Sequence, residues 1–406
     1  MSAIDTGSTD DMQAFRSAAL PPPDPSLRAH AAAVLDAIRA HIRAAGGSIG
    51  FDEFMQQALY APGLGYYVAG HRPFGSGGDF VTAPEVSPLY GRTLAREIGR
   101  IHAALGAADV LEIGAGSGAL AEAIVGRFAA AGRPLNYRIL EASPALAELQ
   151  RRRLGELALP PGVRIEWLGG IGDVRIDGVV VANEVVDALP AARFAIAADG
   201  SVREIVVREA ADGLALATRA AGERLSAAVR AVERDLDAPF AAGFRSELCP
   251  ALGPWVADIA GLLKRGVLLF ADYGCGRREY YAPERAAGTF LCHTRHRAHD
   301  DALYLPGLQD MTAWVDFTAL AEAGTAAGLD LLGFTTQVRF LLSAGLTDEL
   351  AEIQAAVPEQ AIDYASQAKT LLLPGEMGER FRFMAFGRGM MQPPAAVAGT
   401  DLRHTL

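Results

Sequence analysis

An α/β protein built on a doubly wound, mostly parallel sheet is what this chain predicts, on three observations. From Ala108 onward, short apolar runs alternate with amphipathic segments. Those runs are dense in Val, Ile and Leu, as expected of strands covered on both faces. The first of them ends in the glycine string 114–118 (GAGSG), where a strand must turn sharply into a helix.

Taken in order, residues 1–25 are polar, end in PPPDP and read as a disordered leader. A helix is predicted from Ser26 as N-cap, with Val34, Leu35, Ile38 and Ile42 on one face, stopping at Gly46-Gly47. A second helix carries Phe51, Phe54, Met55, Ala58 and Leu59 at helical spacing. The stretch 60–88 is rich in Gly, Pro and aromatics and reads as an ordered functional loop. These pieces form a helical segment and lid loop over 26–106.

The core is predicted over 107–389. Strands are expected at 110–114, 137–142, 163–168, 178–182 and 267–272, with helices packing through Leu120, Ile124 and Phe128 and over 146–154. Residues 191–262 read as an insertion holding a hairpin (202–208 with 214–218, turning at Asp212-Gly213) and a helical stretch. Runs 331–342 and 381–387 are predicted to close the sheet edge, and 390–406 to be a disordered tail.

Composition narrows the function. The 406 residues are 50% hydrophobic and 21% charged, a globular balance, with a net charge of −11. That charge argues against nucleic acid, which needs clustered Arg and Lys, and suits a basic substrate. Three cysteines without CxxC spacing suggest neither a disulfide framework nor a cysteine zinc site. No run is long and apolar enough for a membrane span, and the acidic N-terminus lacks the marks of a signal or transit peptide. The expectation is a cytoplasmic protein.

Two cofactors compete for the glycine loop. Gly114, Gly116 and Ala119 satisfy a loose dinucleotide pattern, so a nicotinamide cofactor stands as an alternative. Glu112, two residues before the first glycine, disfavours a pyrophosphate and suits the ammonium of S-adenosylmethionine. Gly114, Gly116 and Gly118 then complete an ExGxGxG string that resembles the first motif of class I methyltransferases. Glu141, ending the second strand, is placed for two ribose hydroxyls under either reading.

Longer strings resemble one family in particular: 77–87 (GGDFVTAPEVS), 183–190 (NEVVDALP), 272–274 (DYG), 288–301 (GTFLCHTRHRAHDD), 307–310 (GLQD) and Asp316-Phe317. Together they are similar to the MidA-like methyltransferases, over roughly residues 46–387. The resemblance implies a class I methyltransferase fold, S-adenosylmethionine as cofactor, and methylation of an arginine on a respiratory complex I subunit. It implies cofactor contacts at Glu112, Gly114, Gly116, Gly118, Glu141 and Asn183, with Asp79 and Thr82 in the lid. Glu184 and Asp187, on one turn, are expected to grip a guanidinium, whose fork of donors matches carboxylates. Helix capping would explain the same two acids. Glu85, Ser87, His293 and His296 are expected to face the substrate. His293, His296 and His299 do not match zinc spacings and are interleaved with Arg295 and Arg297, so no metal is expected. A cofactor-binding assembly chaperone without turnover remains an alternative to an enzyme.

Overall fold

The computed structural model describes residues 24–406 other than 71–80, 173, 212 and 391. The expected leader, Asp79 of the lid and the hairpin turn at Asp212 therefore lie outside, or largely outside, the described residues.

Two amphipathic helices come first, α1 (Arg28–Ala44) and α2 (Phe51–Tyr60). The start differs from expectation. Ser26 sits in a 3-10 turn that Asp24 caps by accepting its N–H at 2.8 Å, and α1 begins at Arg28. The five apolar residues read on the second helix are all buried. A short helix α3 (Ala83–Val86) leads into α4 (Pro88–Leu105), whose N-cap Ser87 accepts the Leu89 N–H at 3.2 Å. This 18-residue helix went unread, although Ser-Pro at its start and left-handed Gly106 at its end are standard boundary signals. It packs on the main sheet, so the core begins well before residue 107.

That sheet contains β1 (Asp109–Ile113), β2 (Leu135–Leu140), β3 (Val163–Leu168), β4 (Ile176–Asn183), β5 (Leu263–Cys275), β6 (Asp330–Thr336) and β7 (Phe381–Arg388). Their order is β6-β7-β5-β4-β1-β2-β3, all parallel except β7, which runs antiparallel to both neighbours. Side chains alternate between faces along a strand. Val110, Val179, Val181 and Leu269 therefore meet α4 and α5 (Ala119–Ala130). Leu111, Val180, Leu268 and Phe270 meet helices Leu252–Leu262 and Phe317–Ala326 on the other face. The helix α6 (Pro144–Leu154) links β2 to β3, with Ser143 as cap and three arginines in its last turn, where the helix dipole favours cations. The chain order reverses beside β1, which places a ligand crevice at the carboxyl ends of β1 and β4.

A second core joins the N-terminal helices to the insertion. Strands Ala192–Ile196, Val202–Ala210, Gly213–Ala220 and Arg245–Leu248 form a sheet that also takes in Ser48–Gly50. Val34, Ile38, Phe51 and Phe54 pack there with Val207, Phe290, Cys292 and Met311. The last three belong to the segment holding a small sheet of Leu291–Thr294, Arg297–His299 and Asp310–Thr312.

Three boundaries are corrected. Helix Leu252–Leu262 buries Leu252, Val256 and Ile259 against the main sheet, so the insertion ends before it rather than at 262. The strand read at 331–342 stops at Thr336, whose hydroxyl accepts the Arg339 N–H and starts helix Gln337–Ala344. The tail is packed, not disordered: Ala396 and Val397 are fully buried, and the Ala396 N–H donates to Glu97 at 3.1 Å.

Candidate active site

The glycine string does what its residue types require. Gly114, Gly116 and Gly118 all take positive φ, a conformation that a Cβ makes costly. The Gly114 N–H donates to the Leu140 carbonyl at 2.9 Å, tying the loop to the end of β2. Ser117 Oγ meets the Glu85 carboxylate, to which Arg153 Nη1 also donates at 3.2 Å. Glu85, expected to face substrate, is held by this hydroxyl and this guanidinium and so ties α3 to the loop. Ser87, also expected to face substrate, is buried as a helix cap. Thr82 stands at the N-cap position of α3 without a side-chain cap bond.

Glu112 lies beneath the loop. Tyr137 Oη donates to its Oε2 at 2.7 Å, and burial raises its pKa to about 7 against the pull of that bond, with Glu141 adding to the rise. Glu141 follows β2 and is more accessible. Its Oε1 accepts the Ser143 N–H and its Oε2 accepts Gln150 Nε2, both at 2.9 Å. Such a carboxylate, fixed in orientation and only partly buried, has lone pairs enough to take the hydroxyls of a ribose as well.

Across the crevice, the end of β4 makes a tight turn. Glu184 has a left-handed backbone, φ 53°, unusual for a residue with a Cβ. What holds it there is Asp272 on β5. Asp272 Oδ2 accepts the N–H groups of Val185, Val186 and Asp187 at 3.2, 3.0 and 3.3 Å, while the Glu184 N–H donates to the Ala271 carbonyl at 2.8 Å. This turn abuts the glycine loop: a Cβ added to Gly114 would come 3.3 Å from Val185 Cγ2.

Four acids thus converge: Glu184, Asp187, Asp272 and Asp310. Glu184 Oε1 accepts the Ala83 N–H and the Asn183 amide, at 3.3 and 3.2 Å, and Asn183 accepts from Tyr90 Oη. Asp310, on the small sheet, accepts Tyr67 Oη at 2.7 Å and its neighbour's N–H at 2.9 Å. Tyr60 stacks on Tyr67 and donates to the Ala188 carbonyl. Asp187 is 6% exposed, and among the described residues its buried Oδ1 meets no donor.

Burial raises the pKa of every acid on this turn. Glu184 reaches about 8, with Asp187 adding to the effect, and Asp272 reaches about 8, with Glu184 adding. Asp187 is pushed well above its usual range by burial and then by Asp272 and Asp310. The folded protein therefore keeps protons that the unfolded chain releases near pH 4, so stability falls as pH rises from there through 8. Thermal melts of the ligand-free protein should show Tm decreasing from pH 5 to pH 8, and Glu184→Gln should flatten that decrease. A Tm that rises across this window would contradict the buried-acid arrangement.

The other expected substrate groups are less central. His293 is half-buried on Leu291–Thr294, paired in register with Asp310, and desolvation with a contribution from His299 lowers its pKa to about 4. His296 sits exposed at the hairpin turn, with positive φ like Arg295. Sequence reasoning gave no role to Asp272, Asp310, Tyr67 or Gln150. Asp272 and Asp310 did lie in the DYG and GLQD strings, which were the available signal.

Comparison with known proteins now decides the class. The family model described as "Putative S-adenosyl-L-methionine-dependent methyltransferase" matches residues 93–335, more than half of the chain. The chain belongs to this methyltransferase family. It is similar to the mitochondrial protein arginine methyltransferase NDUFAF7 of Xenopus tropicalis, 30% identical with 84% of this chain and 82% of that protein covered. The human counterpart is 28% identical over 84% and 80%. A Burkholderia thailandensis protein solved with S-adenosyl-homocysteine bound is 42% identical, with a TM-score of 0.89 over 96% of this chain and 100% of that one. The methyltransferase therefore uses S-adenosylmethionine on a class I fold, as its motifs implied, and the nicotinamide alternative falls away.

Proposed function

We propose that this methyltransferase modifies an arginine on a protein, with Glu184 and Asp187 receiving the guanidinium. The observation that carries the reading is the buried, unpartnered Asp187 Oδ1 within a cluster of acids beside the glycine loop. A buried carboxylate oxygen without a donor is costly, and a cation offering several N–H groups relieves it. Guanidinium presents five donors in a plane and stays protonated at any working pH. The arginine methyltransferases among the relatives support the same acceptor. Family resemblance points further, to a respiratory complex I subunit.

The cofactor supplies an electrophilic methyl group when bound. Glu184 and Asp187 accept N–H bonds from two guanidinium nitrogens, which draws positive charge toward the acids and aims the third. Transfer would form the N–C bond as the methyl–sulfur bond breaks and S-adenosyl-homocysteine leaves, and the proton released by the attacking nitrogen would pass to whichever of the two carboxylates is ionised and in reach. Acids with raised proton affinity suit that task. Tyr60, Tyr67 and Tyr90 wall the cluster and exclude water, strengthening each interaction.

The cofactor is proposed to lie along Gly114–Gly118 with its ribose on Glu141, and with Asn183 and the lid residue Thr82 nearby. Glu141→Ala removes charge-assisted bonds of about 1.5–3 kcal/mol each, so S-adenosyl-homocysteine affinity should fall at least about tenfold by calorimetry. Unchanged affinity would move the ribose elsewhere. Turnover itself is tested with tritiated cofactor, purified protein and lysate from a strain lacking it. Acid-precipitable label is expected; none would favour a chaperone that only holds its cofactor.

A further inference from the structure

Gln150 has no exposed surface, yet both ends of its amide are fully engaged. Nε2 donates to the Gly116 carbonyl and to Glu141 Oε2, each at 2.9 Å. Oε1 accepts Trp167 Nε1 at 3.0 Å. An amide's two ends are told apart only by their partners. Here the partner decides, because an indole N–H can only donate, so the atom facing Trp167 is the oxygen. The NH2 must then face two acceptors: the glycine loop and the acid at the end of β2. Trp167 is itself steadied by the Arg151 guanidinium, 5.1 Å from its ring centre.

We infer that Gln150, oriented by Trp167, is a positioning residue for cofactor recognition, fixing the glycine loop and the Glu141 carboxylate relative to each other. The inference rests on the reading that Glu141 takes the ribose hydroxyls. Its bond to Gln150 holds one oxygen toward α6 while the Ser143 N–H holds the other, so the orientation of the carboxylate is set by α6 and by the turn that precedes it. The same bond favours the ionised carboxylate, which is the stronger acceptor. Gly118, which starts α5, packs over the same side chain: a Cβ there would lie 3.4 Å from Gln150 Cγ. One buried amide thus joins β3, α6, the end of β2 and the loop between β1 and α5.

Gln150→Met keeps volume and burial while removing the donors. Trp167→Phe leaves Gln150 in place but frees its amide to turn over. Calorimetry on the full chain compares S-adenosyl-homocysteine, adenosine and 2′,3′-dideoxyadenosine, the last lacking both ribose hydroxyls. Gln150→Met should weaken the first two by about tenfold, the value of one bond to a charged group, and dideoxyadenosine by less than about twofold. Trp167→Phe should produce a smaller loss with the same selectivity. A purely structural role would weaken all three probes equally, and that result overturns the inference. Glu141→Gln separates the two layers. If it loses ribose selectivity while Gln150→Met keeps it, the positioning role is wrong and the ribose reading stands. If Glu141→Gln also keeps full selectivity, the ribose reading itself fails.

Discussion

Replacing Asp272 by Ala should slow methyl transfer by about 10²-fold or more and lower stability together. Its Oδ2 is the acceptor for three consecutive N–H groups, and its Oδ1 takes the Tyr273 N–H at 2.9 Å. Alanine leaves these donors facing a buried hole. Each unsatisfied group costs about 1–3 kcal/mol, so a loss of about 3 kcal/mol or more is expected even with some rearrangement. The turn that holds Glu184 left-handed loses its anchor, and both acids then move off their positions. Displacements of this kind cost about 10²-fold or more in rate. Asp272→Asn keeps an oxygen for the three donors and should recover most of the stability. Chemical denaturation of both variants, with assays below their melting temperatures, measures the two effects separately. A stable, active Asp272→Ala variant would mean that the turn is held by something else.

Glu184→Gln isolates charge from shape. The amide oxygen can still accept the Ala83 N–H, so the turn should keep its geometry. What disappears is one negative charge and one proton acceptor beside the substrate. The transfer rate should fall by about 10²-fold, with S-adenosyl-homocysteine affinity within about twofold of the parent. Calorimetry and initial rates at saturating cofactor check both halves. Normal turnover by this variant would reduce the acid to a turn-forming residue.

Much of the fold was legible because its strands are continuous apolar runs. β3 was read at Val163–Leu168 as it stands, and β1, β2 and β4 within about two residues. The error at 337–342 has the same origin. Val338, Phe340, Leu341 and Leu342 extend an apolar run, and only the Thr336 cap marks the change to a helix. Helix α4 was hidden differently, behind the Gly- and Pro-rich composition that precedes it.

The site divides along another line. Residues set together by local spacing stand together in the fold: Glu112 on the strand that runs into the glycines, Glu141 at a strand end, Glu184 and Asp187 on one turn. The partners of the lid's polar groups were not legible, since Ser87 and Glu85 could serve substrate, cap or loop equally well until their neighbours were known. Asp272 and Asp310 reach the acid pair only through β5 and through the small sheet around Leu291–Thr294. No local pattern records a meeting made by topology.

If a guanidinium occupies the acid cluster, as proposed, the transferred methyl ends on an arginine side chain. Isotope-labelled cofactor, the purified methyltransferase and lysate from a strain lacking it should yield labelled peptides for mass spectrometry. Methyl on an arginine side-chain nitrogen, lost when Glu184→Gln replaces the parent enzyme, is the expected result. Label on lysine, on a carboxylate or on a small molecule would contradict it.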